Sequence, residues 1–379
     1  MDALRTEDRQ ARADLAPLEL AVVLPTFAEA GNVDEVVRRL DEALRGLAWE
    51  AIFVDDSSPD GTAERVRAIA RRDRRVRCLE RVGRRGLASA CVEGVLASAA
   101  PIVAVMDADL QHDERLLPEM LERLRARPDL DLVVASRFAE GGSAGGFSEQ
   151  RAARSRLATR LGCGLIADDL TDPMSGFFML RVEVLREVLP KLSAVGFKLL
   201  LDILASASRP LAVEELPYDF RARRKGASKL DRVVALEYLI LLYDKAFGRV
   251  VPTRFALFGT IGGLGVGVHF AILTFVFKGL ALPFAPSQTI ATLGAMTFNF
   301  FLNNALTYRD QQLRGVRQLF RGWLSFCLAC GIGAVANIGV ATFLFAHQGT
   351  VWTLSALAGV LVGAVWNFAL SSRFTWGRY

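Results

Sequence analysis

Short apolar runs alternate with segments of helical periodicity through the first part of the chain. Four apolar runs predict strands, at 20–25, 51–54, 76–79 and 101–106. Three segments with helical spacing follow the first three runs, near 32–47, 62–72 and 86–99. Asn32 stands where it could cap the first helix. Strand and helix therefore alternate, which predicts an α/β fold with a mostly parallel sheet covered by helices.

From about residue 255 the pattern changes to long apolar segments joined by short connections. Four of them predict helices, at about 255–277, 285–306, 323–345 and 351–372. Each is long enough to cross a hydrocarbon core of about 30 Å. The sequence thus predicts a disordered leader at 1–19 and an α/β domain at 20–231. An interfacial amphipathic helix at 232–250 and an all-α transmembrane domain at 251–379 follow.

The predicted membrane domain contains an internal repeat. The sequence Asn-Phe-Phe-Leu-Asn-Asn that begins at Asn299 returns as Asn-Phe-Ala-Leu-Ser-Ser at Asn367, 68 residues later. Two helical hairpins from one ancestral unit would explain this. An Asn in a span is costly unless it is paired, so we expect both to hydrogen-bond between helices. A role in substrate binding is the alternative.

Charge separates the two regions of the chain. Eight of the 46 Lys and Arg residues, but only one of the 41 acidic residues, lie from Val250 onward. A near-neutral domain joined to an apolar, basic one indicates a membrane protein, not a basic nucleic-acid binder. The first 19 residues carry eight charges and no apolar core, unlike a signal peptide. The basic connections predict a multi-pass plasma-membrane protein with its α/β domain and both termini in the cytosol.

Polar groups follow three of the predicted strands, at 26–29, 55–56 and 107–109. Ligands of open α/β sheets bind outside the carboxyl ends of the strands, so these groups should share one site. In an extended segment Asp107, Asp109 and Gln111 would face the same way. Such oxygen ligands suit Mg²⁺ or Mn²⁺. The alternatives are that the carboxylates only cap a helix, and that His112 is structural rather than a ligand.

These segments resemble the dolichyl-phosphate mannose synthase family, which consists of inverting glycosyltransferases with the A-type nucleotide-sugar fold. The resemblance covers about 20–231 and rests on ordered motifs at 23–29, 54–62, 86–94, 107–112, 135–138, 172–177, 196–198 and 220–230. The four predicted spans resemble a GtrA-like membrane domain. Two positions depart from the family pattern: Ala28 replaces an Asn, and Met174 replaces a Thr.

The resemblance implies roles for the matched residues. The nucleotide pocket would be lined by Pro25, Phe27, Glu29, Val54, Asp55 and Asp56. Metal, pyrophosphate and sugar would be held by Asp107, Ala108, Asp109 and Gln111, with Asp107, Asp109 and Gln111 as the metal ligands. Arg137 would contact donor phosphate or sugar, and Lys198 and Arg223 would contact the donor phosphates.

The acceptor class agrees with the basic residues near the membrane region. A lipid phosphate is already anionic and needs cations that position it rather than a strong base. Candidates are Arg137, Arg151, Ser228 and Lys229. The alternative for the basic run 221–229 is unspecific binding to anionic head groups. The segment from Val233 to Tyr243 would guide the lipid head group to the site.

The predicted function is inverting transfer of mannose from GDP-mannose to dolichyl or polyprenyl phosphate at the cytosolic membrane face. The same chemistry with UDP-glucose or another nucleotide sugar is the alternative. A flippase or transporter with a regulatory soluble domain is a third reading, but the predicted spans carry charges only near their ends. A processive synthase would need a Gln-x-x-Arg-Trp motif, which the sequence lacks. The lipid bilayer is a further expected partner, and the membrane domain could support a homo-oligomer.

Overall fold

In this computed structural model the chain divides between Ala246 and Phe247 into two compact units. The structure describes residues 17–143, 166, 170–193, 197–221, 232–248, 251–308, 311–347 and 352–377. The first unit is an α/β domain and the second is entirely helical in its described residues.

The first unit is built on a seven-stranded sheet with the order β3-β2-β1-β4-β6-β5-β7. Its strands are β1 Leu20–Thr26, β2 Trp49–Asp55, β3 Val76–Glu80, β4 Ile102–Val105, β5 Leu132–Ser136, β6 Phe178–Arg181 and β7 Val213–Pro217. β6 runs antiparallel to both of its neighbours, and the other pairings are parallel. The predicted mostly parallel sheet is therefore confirmed.

Helices cover the sheet, and alternation along the strands supplies both packed faces. In β1, Leu20, Val22 and Leu24 enter one core cluster, whereas Ala21 and Val23 enter the other. The helices of this unit are α1 Val33–Ala43, α2 Thr62–Ala70, α3 Leu87–Leu96, α4 Leu117–Ala126, α5 Val182–Val188, α6 Leu199–Ser206 and α7 Arg232–Phe247. Both faces of the sheet are thus buried, as a parallel sheet requires.

Asn32 precedes α1 directly, but its side chain does not cap the helix. Its amide Nδ2 instead donates a hydrogen bond of 2.7 Å to Glu29 Oε2. The predicted side-chain cap is therefore wrong. Asn32 has helical backbone angles (φ −107°, ψ −20°), whereas a capping residue usually has extended backbone that directs its side-chain oxygen at the first amides.

Helix α7 belongs to the first unit and is attached to it by packing and by charge. Tyr238 and Leu241 are buried in a cluster that also contains Met174 and Leu201. Lys245 Nζ lies 2.6 Å from a carboxylate oxygen of Asp202, and both side chains are nearly inaccessible. On the remaining surface of the helix, apolar residues are exposed, with Leu239 and Phe247 both more than half accessible.

This helix falls within 232–250, where an amphipathic interfacial helix was expected. Apolar side chains instead occur on its buried side and on its exposed side. The difference arises because one side of the helix packs against the α/β domain, so its apolar side chains are buried by protein rather than by lipid. Its position at a membrane surface stays a prediction.

The second unit consists of four long helices, three of which continue into a π-helical turn. They are α8 Thr253–Thr274, α9 Phe284–Leu302, α10 Val316–His347 and α11 Trp352–Leu370. The π-helical turns are Phe275–Gly279, Asn303–Thr307 and Ser371–Thr375. Among the described residues, the helix Thr253–Gly279 has the length and apolar composition needed to cross a membrane.

The sequence repeat is also a structural repeat. A Cβ atom added to Gly265 would lie 2.3 Å from Asn299 Oδ1, and one added to Gly333 would lie 1.8 Å from Asn367 Oδ1. The two glycines are 68 residues apart, as are the two asparagines. In each hairpin the asparagine thus fills the space that a glycine leaves on the preceding helix. Neither carboxamide oxygen has a hydrogen-bond partner, so the expected hydrogen bonds between helices are not made by these oxygens.

The two halves also exchange equivalent contacts. The rings of Tyr308 and Trp376 stack with centroids 4.1 Å apart and planes 5° from parallel. Tyr308 Oη bonds Ser372 Oγ at 2.5 Å, and Trp376 Nε1 donates to Asn304 Oδ1 at 3.0 Å. Ser372 is the counterpart of Asn304 in the repeat. Reciprocal contacts of this kind indicate an approximate twofold relation between the hairpins.

Candidate active site

The loops after β1, β2 and β4 contain most of the unusual backbone of the described chain. Four non-glycine residues of the described chain have a positive φ. Three of the four lie in these loops: Ala28 at 57°, Ser57 at 51° and Leu110 at 66°. The parallel strands β2, β1 and β4 are adjacent, so their carboxyl ends lie at one edge of the sheet. Strained backbone of this kind concentrates at ligand sites.

The loop after β2 holds the loop after β1 through three successive backbone amides. Ala28 N donates to Ser58 Oγ at 2.8 Å, and Glu29 N donates to Thr62 Oγ1 at 3.0 Å. The next amide, of Ala30, donates to Asp60 Oδ2 at 3.1 Å. These bonds fix the backbone that carries Phe27 and Glu29.

Asp55 and Asp56 have different environments although they are adjacent. Asp55 is fully buried, and it accepts hydrogen bonds from Ser58 N at 2.8 Å, Ser58 Oγ at 2.5 Å and Thr26 Oγ1 at 3.2 Å. Its carboxylate therefore shapes the turn, which differs from the predicted position in the pocket lining. Asp56 accepts from Gly86 N at 2.8 Å, and burial raises the pKa of its carboxyl group.

The other predicted pocket residues follow the same edge. Pro25 pairs with Val54 across the two strands. Val54 is fully buried in a core cluster, so its side chain does not reach the surface of this edge. Phe27 is half-buried, and the guanidinium carbon of Arg85 lies 4.4 Å from its ring centroid.

The two carboxylates of the segment after β4, Asp107 and Asp109, differ in solvent exposure. Asp109 is buried, whereas the side chain of Asp107 is 39% exposed. Asp109 Oδ1 accepts a hydrogen bond from Gln111 N at 3.1 Å, which closes a turn at Leu110. The predicted extended geometry is therefore wrong at Leu110. Ala108 is buried beneath the turn.

His112 supports Asp107 from the core. Its Nδ1 accepts a hydrogen bond from Asp107 N at 3.0 Å, and its Nε2 lies 3.8 Å from Asp107 Oδ2. The ring stacks on Phe177 with centroids 5.2 Å apart. Burial lowers the pKa of His112 to about 4, so the imidazole is neutral near pH 7. This environment fits the structural role that was one of the two alternatives for His112.

Arg137 follows β5 and is held by a buried carboxylate. Its Nε and Nη2 donate to the two oxygens of Asp172 at 2.7 and 2.9 Å, and the pair does not use Nη1. Asp172 is completely buried and the Arg137 side chain is 13% exposed. Such a bidentate pair fixes the plane of the guanidinium group. Lys198 Nζ donates to the carbonyl oxygen of Met174, in the loop that carries Asp172, at 3.2 Å.

The oxygen donors after β4 fit a hard divalent cation. Asp107 and Asp109 are carboxylates, and the amide nitrogen Nε2 of Gln111 donates to Arg221 O at 2.9 Å, which fixes the direction of the carboxamide. Among the described residues no group of three or more His, Cys, Asp or Glu side chains could hold a metal alone. Two carboxylates suit Mg²⁺ or Mn²⁺, which take one or two carboxylates and complete their shell with substrate phosphates and water.

Four predicted residues lie outside the described part of the chain: Arg151, Arg223, Ser228 and Lys229. Within the described part, the structure brings Asp107, Asp109, Gln111 and Arg137 to the carboxyl edge of the sheet, near the loops of Phe27 and Asp56.

Sequence reasoning gave no role to three residues that hold this edge together. Asp172 orients Arg137, Asp60 bonds the amide of Ala30, and Arg81 is 2% exposed with its Nε 3.1 Å from Asp56 Oδ1. Asp172 and Asp60 lie inside the recognised motifs, so the motifs were the available signal. Arg81 lies in a run of polar residues that resembles a surface, and nothing in its sequence indicates burial.

Comparison with protein families matches both units. Residues 21–189 match glycosyl transferase family 2, and residues 257–376 match the GtrA/DPMS transmembrane domain. A protein of Pyrococcus furiosus named dolichol-phosphate mannosyltransferase is 31% identical over 365 residues, which are 95% of this chain and 99% of that protein. A protein of Saccharomyces cerevisiae with the same name is 33% identical over 59% of this chain and 85% of that protein.

Among solved structures, glucosyl-3-phosphoglycerate synthase from Mycobacterium tuberculosis is similar with a TM-score of 0.44 and 21% identity. The similarity covers 62% of this chain and 81% of that one.

Proposed function

The chain belongs to the dolichol-phosphate mannosyltransferase family, and we propose that it transfers mannose from GDP-mannose to a dolichyl or polyprenyl phosphate. It is a glycosyltransferase with a GtrA/DPMS membrane domain. The observation that carries the proposal is the relative named dolichol-phosphate mannosyltransferase, which matches 95% of the chain and therefore both units. The site at the carboxyl edge of the sheet supplies the chemistry.

The donor nucleotide would occupy the edge formed by the loops after β1 and β2. Phe27, whose ring is stacked by the guanidinium group of Arg85, would lie beside the base, and Asp56 would offer a buried carboxylate that can accept hydrogen bonds from base or ribose. The three amide contacts between the loops keep this surface in place before the donor binds. Pre-organisation of this kind lowers the entropy cost of binding.

Asp107, Asp109 and Gln111 would hold a Mg²⁺ or Mn²⁺ ion on the donor diphosphate. A bound divalent cation neutralises charge that develops on a departing diphosphate. Around that position, His112 holds the backbone of Asp107, and the Asp109 carboxylate is fixed by the amide of Gln111. The protein thus supplies oriented oxygen atoms.

The acceptor phosphate would be positioned by cations. The Asp172 pair uses two nitrogens of Arg137 and leaves Nη1 to meet an anion. Arg151, Ser228 and Lys229 are the further candidates, and Lys198 and Arg223 are candidates for the donor phosphates. Attack by a phosphate oxygen on the anomeric carbon, opposite the departing diphosphate, forms the new bond with inversion.

The acceptor's long apolar chain places this reaction at a membrane. The GtrA/DPMS domain makes the chain a membrane protein. The four helices α8 to α11 would span the plasma membrane, with the catalytic unit and both termini in the cytosol, where nucleotide sugars occur. A homo-oligomer through the membrane domain is part of the same proposal.

The Asp109 carboxylate provides a direct test of the site. We expect Asp109→Ala to lower mannosyl-lipid formation at least about a hundredfold, since metal-assisted charge stabilisation contributes several kcal/mol. Asp129→Ala is the control, because Asp129 is an exposed carboxylate whose partner is Arg127. The assay uses purified full-length protein with Mg²⁺, labelled GDP-mannose and polyprenyl phosphate. Full activity of Asp109→Ala would contradict the metal assignment.

The anomeric configuration of the product tests the mechanism independently. The sugar of GDP-mannose is α-linked, so a single direct displacement gives a β-mannosyl phosphate. Nuclear magnetic resonance of the purified mannosyl lipid distinguishes the two anomers. A product of α configuration would show that the reaction passes through a second displacement or a different mechanism.

A further inference from the structure

Arg221 contacts each of the four consecutive residues 111–114, which follow the Asp107–Asp109 pair, although it lies more than a hundred positions away in sequence. Its backbone and Gln111 form two bonds: Arg221 N donates to Gln111 O at 3.0 Å, and Gln111 Nε2 donates to Arg221 O at 2.9 Å. Its guanidinium Nη1 lies 3.4 Å from the carbonyl oxygen of His112. The same group reaches Asp113 and Glu114 at 2.7 and 2.8 Å.

The bonds to Gln111 determine how its carboxamide is turned. A carbonyl oxygen only accepts hydrogen bonds, so the group that meets Arg221 O must be the amide nitrogen. The carboxamide oxygen then points away from Arg221. It is the oxygen, not the nitrogen, that can bind a hard cation such as Mg²⁺ or Mn²⁺.

The orientation of Gln111 also depends on the side chain of Arg221, because its guanidinium group pairs with Asp113 and Glu114. Asp113 and Glu114 are 16% and 10% exposed, and two neighbouring carboxylates repel each other unless a cation lies between them. Arg221 meets one carboxylate with Nη1 and the other with Nη2. The planar fork can hold both at once, whereas the ammonium group of lysine is a point charge on a flexible stem.

We propose that Arg221 is a positioning residue for the metal site, which it serves by holding residues 111–114 so that Gln111 and Asp109 present their oxygens to a divalent cation. The inference rests on the proposed function, since it assumes the metal ligands named there. Arg221 does not itself touch the cation. Its effect passes through the backbone of Gln111 and through Asp113 and Glu114.

Arg115 offers a matched control. It also pairs with Asp113, at 2.6 Å, but its side chain is 75% exposed. Its side-chain hydrogen bonds come from Nε and Nη2, and both go to Asp113. Removing Arg115 therefore takes one positive charge from the same neighbourhood without releasing the turn.

The test measures Mn²⁺ binding to full-length protein in detergent with GDP present, by electron paramagnetic resonance of free Mn²⁺. We expect Arg221→Ala to weaken Mn²⁺ binding about tenfold, the size of effect that residues supporting metal ligands commonly have. Arg221→Lys should weaken it in the same direction, although the charge is kept. Arg115→Ala should bind Mn²⁺ as tightly as the unaltered protein or more tightly, because only a positive charge is lost.

Equal affinities in Arg221→Ala and Arg115→Ala would overturn the proposal, since charge alone would then explain both. Unaltered affinity in Arg221→Lys would also overturn it, and this variant serves if Arg221→Ala fails to fold. Absence of Mn²⁺ binding by the unaltered protein with GDP would do the same. If the expected pattern is found but no mannosyl lipid forms, the proposed function fails and the positioning role stands.

Discussion

At the scale of single residues, the candidate site contains backbone that other parts of the fold must hold in place. A non-glycine residue in the left-handed region costs about 1–2 kcal/mol, and Ala28, Ser57 and Leu110 each adopt it. Each is held by a hydrogen bond: Ala28 N donates to Ser58 Oγ, and Ser57 Oγ donates to Arg81 O. Across Leu110, Asp109 accepts from Gln111 N. The strain therefore lies where three loops meet the proposed donor.

Ala28 is also one of the two positions that depart from the family pattern, which has Asn there. Asn adopts left-handed backbone at lower cost than Ala. We expect Ala28→Asn to raise the free energy of unfolding of the catalytic unit by about 1 kcal/mol. Urea unfolding followed by pulse proteolysis of the full-length protein measures it, with Ala30→Asn as the control. Stability that is unchanged or lower in Ala28→Asn would contradict the assigned strain.

A comparison of two bidentate Arg–Asp pairs of the catalytic unit separates function from stability. Asp172 holds Arg137 at the candidate site, whereas Asp131 holds Arg209 before β5, at the other edge of the sheet. We expect Asp172→Asn to lower kcat/KM at least about tenfold, because the bidentate pair no longer fixes the plane in which Arg137 would meet the substrate; each 1.4 kcal/mol of lost transition-state stabilisation is about tenfold in rate. Asp131→Asn should keep kcat/KM near normal. Equal effects of the two substitutions on the folded enzyme would show that Asp172 only stabilises the fold.

At the scale of elements, the sequence was informative where local periodicity determines structure. The first four strands were predicted within one or two residues of β1 to β4, because apolar runs between helical segments have few other structures. The antiparallel strand β6 was not predicted. It has only four residues, and its pairing with β4 and β5 joins distant parts of the chain.

The candidate site was likewise predictable from the sequence only in part. The motifs singled out Asp107, Asp109 and Arg137, but they gave Asp55 and Asp56 the same role. The difference between these two carboxylates depends on which of them accepts the hydrogen bonds of the turn. The turn at Leu110 depends on a side-chain hydrogen bond that strand periodicity does not contain. Burial of Arg81 follows from the packing of several elements, so no local pattern indicates it.

The repeat in the second unit gives a prediction about helix packing. Gly265 and Gly333 each leave room for an asparagine, whereas Gly267 and Gly331 on the same helices have nothing within 4 Å of an added Cβ. We expect Gly265→Ala and Gly333→Ala to destabilise their hairpins by about 1–3 kcal/mol through overpacking. Gly267→Ala and Gly331→Ala should have little effect. Thermal unfolding of the protein in detergent checks this, and four equal midpoints would contradict the packing.

At the scale of the whole molecule, two units of different chemistry serve one proposed reaction. The donor is water-soluble and the acceptor carries an apolar chain, which agrees with an α/β catalytic unit and a GtrA/DPMS membrane domain in one protein. Helix α7, the last helix of the catalytic unit, is bonded into it by Lys245 and Asp202. The segment that leads toward the membrane domain is therefore a fixed part of the catalytic unit.

The Asp107–Asp109 pair gains its meaning from this context. Alone, two carboxylates after a strand would fit many nucleotide-dependent enzymes. Together with Arg137 on its buried Asp172, and with a membrane domain on the same chain, they indicate transfer of a sugar to a lipid phosphate.

The donor sugar is the central claim, and a side-by-side donor assay tests it most directly. Purified full-length protein is given polyprenyl phosphate and Mg²⁺ with labelled GDP-mannose in one reaction and labelled UDP-glucose in the other. Labelled glycolipid is then extracted and counted. We expect product from GDP-mannose and little from UDP-glucose. Product from UDP-glucose with none from GDP-mannose would contradict the proposed donor.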